Sequence, residues 1–442
     1  MDAGVFRLSL YLPAQGASET EATIIEWHVA EGDRFEQGQS LAQVDSAKSV
    51  FDFESPCRGR VIRRLFIEGE AVPINKPVLE IETDDPAMRD WIPPAPAALP
   101  AASSALAQSA DEVLPMPRTA QAVALLAVGG YLPRRSVTNE ELVEHLPHIS
   151  ADYVEQVTGI RQRRWASPGE RPSDMAYAAA LEAIRKSGLA TKQIDAIILA
   201  TTTPDVAMPA TAAFLQDRLN LPTIPAFDLN AACSGWLFAV EMARGMILSG
   251  AARHVLTVGV DMQSYLLDKT DESAYFIFGD GAGAAIVAAY EGSGAKIVRT
   301  VLGGDSRGLH LARRNTPGYS PINAVGEIDP WIRLDGPALF RGAVENFASL
   351  VRESLIRSGW APDEVRWVIP HQANGRILRA AAKRSGVPFE RFFLNMDHVG
   401  NTSSASIPLA MVELEPRLQP GDRLLLCSVG AGLTTAAVCL EW

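Results

Sequence analysis

Asp228-Leu229-Asn230-Ala231-Ala232-Cys233-Ser234-Gly235-Trp236-Leu237-Phe238 is the stretch on which the reading of this chain turns. Upstream, the apolar run 197–202 reads as a buried strand, and residues 228–230 read as a strand end. Downstream, residues 235–248 place Leu237, Val240, Met242 and Met246 at helical spacing. Cys233 therefore falls where a strand turns into a helix, among small residues that admit a substrate closely. A helix N-terminus offers unpaired N–H groups and positive dipole. The reading accordingly predicts a depressed thiol pKa and a nucleophilic thiolate.

Two more stretches of the same kind lie further on. Pro370-His371-Gln372-Ala373-Asn374 follows the apolar run 365–369 and precedes a basic helix. His398-Val399-Gly400-Asn401-Thr402-Ser403-Ser404-Ala405-Ser406-Ile407-Pro408 is a glycine-containing turn that opens an apolar helix. Cys, His and Asn, each on a tight turn at a strand end, suit thioester chemistry. Together with Phe278-Gly279-Asp280-Gly281-Ala282-Gly283 and Ser428-Val429-Gly430-Ala431-Gly432-Leu433-Thr434, they resemble the active-site blocks of the ketoacyl synthase III enzymes. The resemblance covers roughly residues 120–442. It implies a duplicated thiolase fold, with Cys233 in a first half (120–285) and His371 and Asn401 in a second (286–442).

The resemblance also implies roles. Cys233 would hold an acyl group, and the backbone amides of Cys233 and Ala431 would form the oxyanion hole. His371 and Asn401 would stabilise the enolate left when a malonyl-type thioester loses carbon dioxide. The family forms homodimers and uses acyl carrier protein. Basic positions that dock the carrier correspond to Arg341, Arg376, Lys383 and Arg384. Positions that bind the coenzyme A nucleotide are changed: Tyr153 and Val157 stand where the family has Trp and Arg, and Glu272 stands where it has a second Arg. Loss of two cations weakens a polyphosphate site, so carriers are the expected thioester donors.

Residues 1–85 read as a separate small all-β module. Residues 23–35 recur at 60–72, and 41–45 recur at 78–82, an offset of 37 that implies pseudo-twofold symmetry. Gly32 and Gly69 serve turns; Gly38 and Asn75 hold equivalent positions tolerant of positive φ. Between the halves, Asp45-Ser46-Ala47-Lys48-Ser49 interrupts two β runs, which puts Lys48 at a hairpin tip. The module resembles lipoyl domains, and by position the attachment lysine is Lys48. The tip departs from the common Asp-Lys-Ala, and the methionines that flank a biotinyl lysine are absent. Residues 86–119, rich in Ala, Pro and Ser, read as a linker spanning ~30–35 Å as a flexible coil.

Composition sets outer bounds. The 442 residues are 47% hydrophobic and 21% charged, as in soluble globular proteins. The net charge of −12 speaks against nucleic acid as a partner. No apolar run reaches the roughly 20 residues of a membrane helix, and no basic leader opens the chain. Four cysteines make no disulfide framework, and no metal set is evident. These features predict a cytoplasmic enzyme. The expected activity is decarboxylative condensation, with the acyl group arriving from a lipoyl group on Lys48 or from a carrier. A thiamine-dependent 2-oxo acid decarboxylase is then an implied partner. Two other readings stay open: a non-condensing acyltransferase, and an inactive scaffold that docks a 2-oxo acid dehydrogenase. Acyl length and pathway are not legible.

Overall fold

Gly32 and Gly69, 37 residues apart, do the same work on opposite sides of a small β unit. Both have positive φ, at 95° and 81°. Gly32 N–H donates to the Val61 carbonyl at 2.9 Å and Gly69 N–H donates to the Ile24 carbonyl at 2.8 Å, so each turn is tied to the other repeat. In this computed structural model, residues 5–13, 21–46, 50–73, 76–89, 122–315 and 329–442 are described. The chain divides into a unit Met1–Leu114 and a unit Pro115–Trp442.

In the first unit the strands are β1 (Phe6–Tyr11), β2 (Glu21–Trp27), β3 (Arg34–Phe35), β4 (Ser40–Ser46), β5 (Val50–Glu54), β6 (Gly59–Arg64), β7 (Ala71–Pro73) and β8 (Pro77–Thr83). They form two four-stranded sheets, ordered β1-β8-β6-β3 and β5-β4-β2-β7. The offset of 37 carries β3 onto β7 and β4 onto β8. Alternating residues Ile24, Leu41, Val44, Leu79 and Ile81 point inward into one shared core. Met88, on a short turn beyond β8, also joins that core. Strands β4 and β5 pair antiparallel with Asp45 opposite Val50. Ala47, Lys48 and Ser49 lie outside the described residues, as do Asn75 and most of the expected linker.

The second unit is built on one nine-stranded sheet. Its strands are β9 (Val123–Tyr131), β12 (Ala196–Ala200), β13 (Ala226–Leu229), β14 (His254–Met262), β15 (Asp280–Ala289), β16 (Ala295–Gly304), β19 (Trp367–Pro370), β20 (Arg423–Gly430) and β21 (Thr434–Glu441). Two ribbons complete the count: β10 (Arg135–Thr138) with β11 (Gln162–Trp165), and β17 (Ala312–Asn315) with β18 (Asp329–Leu334). The sheet order is β13-β12-β14-β15-β9-β16-β21-β20-β19. Read outward from the β9/β16 seam, each half repeats one pattern. An antiparallel pair comes first (β9 with β15, β16 with β21), a second antiparallel pairing follows, and a parallel strand lies beyond. The duplication expected from the sequence is therefore present in the topology.

Both sheet faces are covered, which explains the nearly continuous apolar strands. On β12, Ile198 faces one cluster while Ile197 and Leu199 face another. Helices Gly235–Leu248 and Ser406–Leu414 place Trp236, Val240, Ile407 and Met411 in the first cluster, beside strand residues of both halves. Helix Pro172–Ser187 covers the outer face of the first half, while Gly336–Ser358 and Gly375–Ser385 cover that of the second. Gly259 on β14 lets the turn Ser403–Ala405 and the first turn of helix Gly235–Leu248 pack closely on the strand. A Cβ there would lie 2.5 Å from the Ser404 carbonyl and 3.1 Å from the Trp236 Cβ.

Candidate active site

Cys233 lies on a short 3-10 turn, Ala232–Ser234, between β13 and the helix Gly235–Leu248. Ala232 has φ +48°, a left-handed conformation that an alanine adopts only under constraint. The corresponding turn of the second half, Ser403–Ala405, precedes the helix Ser406–Leu414, and Ser403 has φ +51°. The two strained turns meet: Ser403 Oγ donates to Cys233 Sγ at 3.6 Å. Asp261 holds the second turn from below, accepting from Ser404 N–H at 3.1 Å and Ser404 Oγ at 2.7 Å. Gly430, at the end of β20, lets the C-terminal strand reach the nucleophile. A Cβ there would stand 3.0 Å from both Cys233 N and Ser234 N.

His371 follows β19, its N–H bonded to the Cys427 carbonyl at 2.8 Å. The neighbouring Gln372 is fully buried and fixes this loop. Its Oε1 accepts from Asn395 N–H at 2.8 Å and Met396 N–H at 2.9 Å, and its Nε2 donates to the Phe393 carbonyl. Asn401 is anchored through its backbone to Ile277 and Gly279. Its Oδ1 accepts Ser403 N–H at 2.9 Å, so the Nδ2 protons are what this side chain has left to offer. Cys233, His371, Asn401 and Ala431 all line one cavity of about 600 Å³. The sequence-predicted residues are thus brought together.

The electrostatics depart from the sequence expectation. Cys233 is partly exposed to the cavity, yet loss of solvation dominates its titration and lifts the thiol to about 11, with the Asp261 carboxylate adding to the rise. Ser403 Oγ and the backbone N–H groups of Cys233 and Ala431 pull the other way and do not overcome it. The predicted depressed pKa is therefore corrected. Loss of solvation is the largest influence on this thiol and outweighs the hydrogen bonds that favour the thiolate. Burial also pushes His371 down to about 4, which leaves a neutral imidazole at neutral pH. Its Nδ1 is buried with no hydrogen-bond partner among the described residues.

The altered nucleotide positions are in view. Tyr153 and Glu272 are exposed, and Val157 reaches the cavity lining, its carbonyl accepting Asn374 Nδ2 at 3.0 Å. Of the four expected docking residues, Arg384 is paired with Glu345 at 2.9 Å. Arg341, Arg376 and Lys383 are exposed with no carboxylate partner among the described residues. Arg376 and Lys383 line a second depression of about 620 Å³ together with Arg379, which sequence reasoning overlooked. Ser403, Gln263, Thr202 and Arg314 are further residues of the main cavity to which the sequence assigned no role. Among the described residues, no cluster of His, Cys, Asp and Glu could hold a metal, and no helix is long and apolar enough to cross a membrane.

A duplicated strand and helix pattern, with a cysteine on the turn before a helix in one half and His and Asn on the loops of the other, defines a thiolase-fold condensing enzyme. Residues 227–306 match the family model described as 3-oxoacyl-[acyl-carrier-protein] synthase III, and 355–442 match that of its C-terminal part. Residues 9–81 match a biotin/lipoyl model described as "biotin-requiring enzyme". The β-ketoacyl-[acyl-carrier-protein] synthase III of Rhodospirillum centenum is 40% identical over 323 residues, 72% of this chain and 98% of that protein. A Streptomyces coelicolor synthase III is 40% identical over 328 residues, 73% and 98% of the two chains. The crystal structure of the Aquifex aeolicus synthase III superposes with TM-score 0.67 at 37% identity, covering 72% of this chain and all of that one. The priming β-ketosynthase of the R1128 polyketide pathway does so with TM-score 0.67 at 33% identity, over 73% and 96%. The chain belongs to the ketoacyl synthase III family, with a biotin/lipoyl domain at its N-terminal end.

Proposed function

We propose that Cys233 accepts an acyl group and that His371 and Asn401 then drive its decarboxylative condensation with a malonyl-type carrier thioester, giving a 3-oxoacyl product. The observation that carries this reading is the shared cavity. One wall holds a thiol facing the N–H groups of Cys233 and Ala431, and another holds a neutral imidazole and an amide whose oxygen is already used. In loading, the thioester carbonyl carbon bonds to Sγ while the two N–H groups receive the developing oxyanion. The departing thiolate takes up the proton that Cys233 releases, so a thiol with a pKa of about 11 needs no permanent charge at rest. In condensation, donors on His371 and Asn401 meet the enolate oxygen formed as carbon dioxide leaves. The two halves of the fold thus divide the work, one holding the electrophile and the other generating the nucleophile.

Carrier protein is the proposed thioester donor and acceptor, docking on Arg341, Arg376 and Lys383, and the active assembly is a homodimer. Lys48 is the proposed attachment site of the prosthetic group implied by the biotin/lipoyl domain. Asp45 and Val50, on either side of Lys48 in the sequence, pair with each other and are both exposed, which supports this reading. Absence of flanking methionines favours lipoate over biotin. Lipoate would supply a thiol able to carry an acyl group, and a thiamine-dependent 2-oxo acid decarboxylase is the class of enzyme that would charge it.

The test follows mass. Incubation with acyl carrier thioester should add one acyl group, lost in Cys233→Ala; an adduct persisting in that variant would overturn the assignment. His371→Ala and Asn401→Ala should still load but release carbon dioxide from malonyl carrier ~10²–10³-fold more slowly. Full condensation by both would remove the decarboxylative step.

A further inference from the structure

Arg314, Gln263 and Thr202 are polar members of the cavity lining, set near Asp261 in a space whose apolar part is closed by residues such as Phe276, Phe278, Ile332 and Leu334. Arg314 belongs to β17, is half-buried, and makes no hydrogen bond or ion pair to any described residue. Burial lowers its pKa, and the Asp261 carboxylate acts on it from a distance. The same carboxylate acts on Cys233, which places the guanidinium and the nucleophile around one buried charge.

Arg314 is not consumed as the counter-ion of Asp261. The Asp261 oxygens already accept from Thr202 N–H at 2.7 Å, Thr202 Oγ1 at 2.8 Å and Thr203 Oγ1 at 3.2 Å, besides both Ser404 donors. No contact within ion-pair distance joins Arg314 to it. Gln263 is buried and extends this network, its Nε2 donating to Thr202 Oγ1 at 2.8 Å. That bond fixes the amide, and its Oε1 receives no hydrogen bond from any described residue. An apolar acyl chain in this space would leave a half-buried guanidinium without an acceptor among the described residues, which is costly.

We propose that this polar part of the cavity is an acyl subsite selective for acyl groups that end in a carboxylate, which Arg314 receives while Gln263 and Thr202 hold the polar lining in place. The inference rests on Cys233 being the acyl acceptor. A guanidinium presents two parallel N–H donors that match a carboxylate, whereas a ketone or methyl group at the same position takes one donor or none. A guanidinium that no described residue bonds discriminates mainly by the penalty of leaving it unpaired, so the preference should be large for a single contact.

The test compares two thioesters of N-acetylcysteamine, glutaryl and its uncharged isostere 5-oxohexanoyl, with the full-length protein. Neither carries a docking protein, so only the acyl subsite distinguishes them. In each case the bond from the carbonyl carbon to Cys233 Sγ forms and the bond to the N-acetylcysteamine sulfur breaks. That sulfur leaves with the proton from Cys233. Intact mass follows loading over time. Wild type should load glutaryl ~10-fold or more faster than 5-oxohexanoyl. Arg314→Met should lose or invert the preference, and Arg314→Lys should keep part of it. Gln263→Leu, which retains the guanidinium, should narrow the ratio less than Arg314→Met. Equal loading of both by wild type, or an unchanged ratio in Arg314→Met, would overturn the subsite while leaving the nucleophile assignment intact. No adduct on Cys233 from either compound would overturn that assignment and the subsite with it.

Discussion

Ser403 occupies a left-handed backbone conformation and spends its hydroxyl on a sulfur, two properties that no local pattern announces. The motif around it was legible, but its partner Cys233 lies 170 residues away, and no spacing rule connects them. The hydroxyl favours the thiolate, so removing it should raise the thiol pKa further. Ser403→Ala is expected to slow alkylation of Cys233 by iodoacetamide at pH 8 by ~3–10-fold, read from rate against pH. The sign of the thiol shift was the misreading at this scale, because a sequence shows a helix start and not the density of protein around it. His371 gives a second prediction. Its folded pKa of about 4 lies below the ordinary 6.5, so the unfolded chain binds the proton first. Stability is intact above pH 6.5 and falls as pH drops toward 4, by on the order of 3 kcal/mol. Thermal melts from pH 8 to 4 should show this slope in wild type and a shallower one in His371→Gln.

At the scale of elements, periodicity was a good guide wherever an element has two distinct faces. The helix read at 235–248 is found at Gly235–Leu248, and the strand read at 365–369 becomes Trp367–Pro370. Ribbon β17–β18, by contrast, was not foreseen. Ala312-Arg313-Arg314-Asn315 has no alternation, and its pairing is to residues beyond a long connection. Arg314 was missed for that reason. The turn after β20 was read as a backbone site, and the reason for its smallness is now physical. Gly430→Ala would push a methyl against two amides at 3.0 Å and against Thr434 Oγ1 at 2.7 Å. The expected result is a loss of about 1–3 kcal/mol in stability together with slowed Cys233 loading, checked by denaturant melts and intact mass.

For the whole molecule, the repeat of 37 residues and the alternation of strands and helices were enough to foresee two architectures in one chain. The division of the site between halves came from resemblance, since nothing local says that turns at Cys233, His371 and Asn401 converge. Charge predictions belong at this scale. Arg376→Glu with Lys383→Glu should weaken use of acyl carrier protein, most strongly at low salt, because surface steering is screened by ions. Loading by N-acetylcysteamine thioesters supplies the carrier-independent comparison. Lys48→Arg should abolish the mass increment that lipoyl ligase and lipoic acid add to the wild-type protein; an increment that persists would move the attachment elsewhere.

The buried thiol has one more consequence, for survival in an oxidising cell. Peroxide attacks thiolate, and a thiol with a pKa of about 11 presents only about one part in ten thousand of that form at pH 7. Cys233 should therefore resist sulfenic and sulfinic acid formation while idle, and react only slowly with small general electrophiles. What overcomes this inertness is a ligand shaped to the cavity that brings its own carbonyl to the two amides. Covalent inhibitors built as thioester mimics should accordingly discriminate this cysteine from the many more acidic thiols around it, which intrinsic reactivity alone would favour.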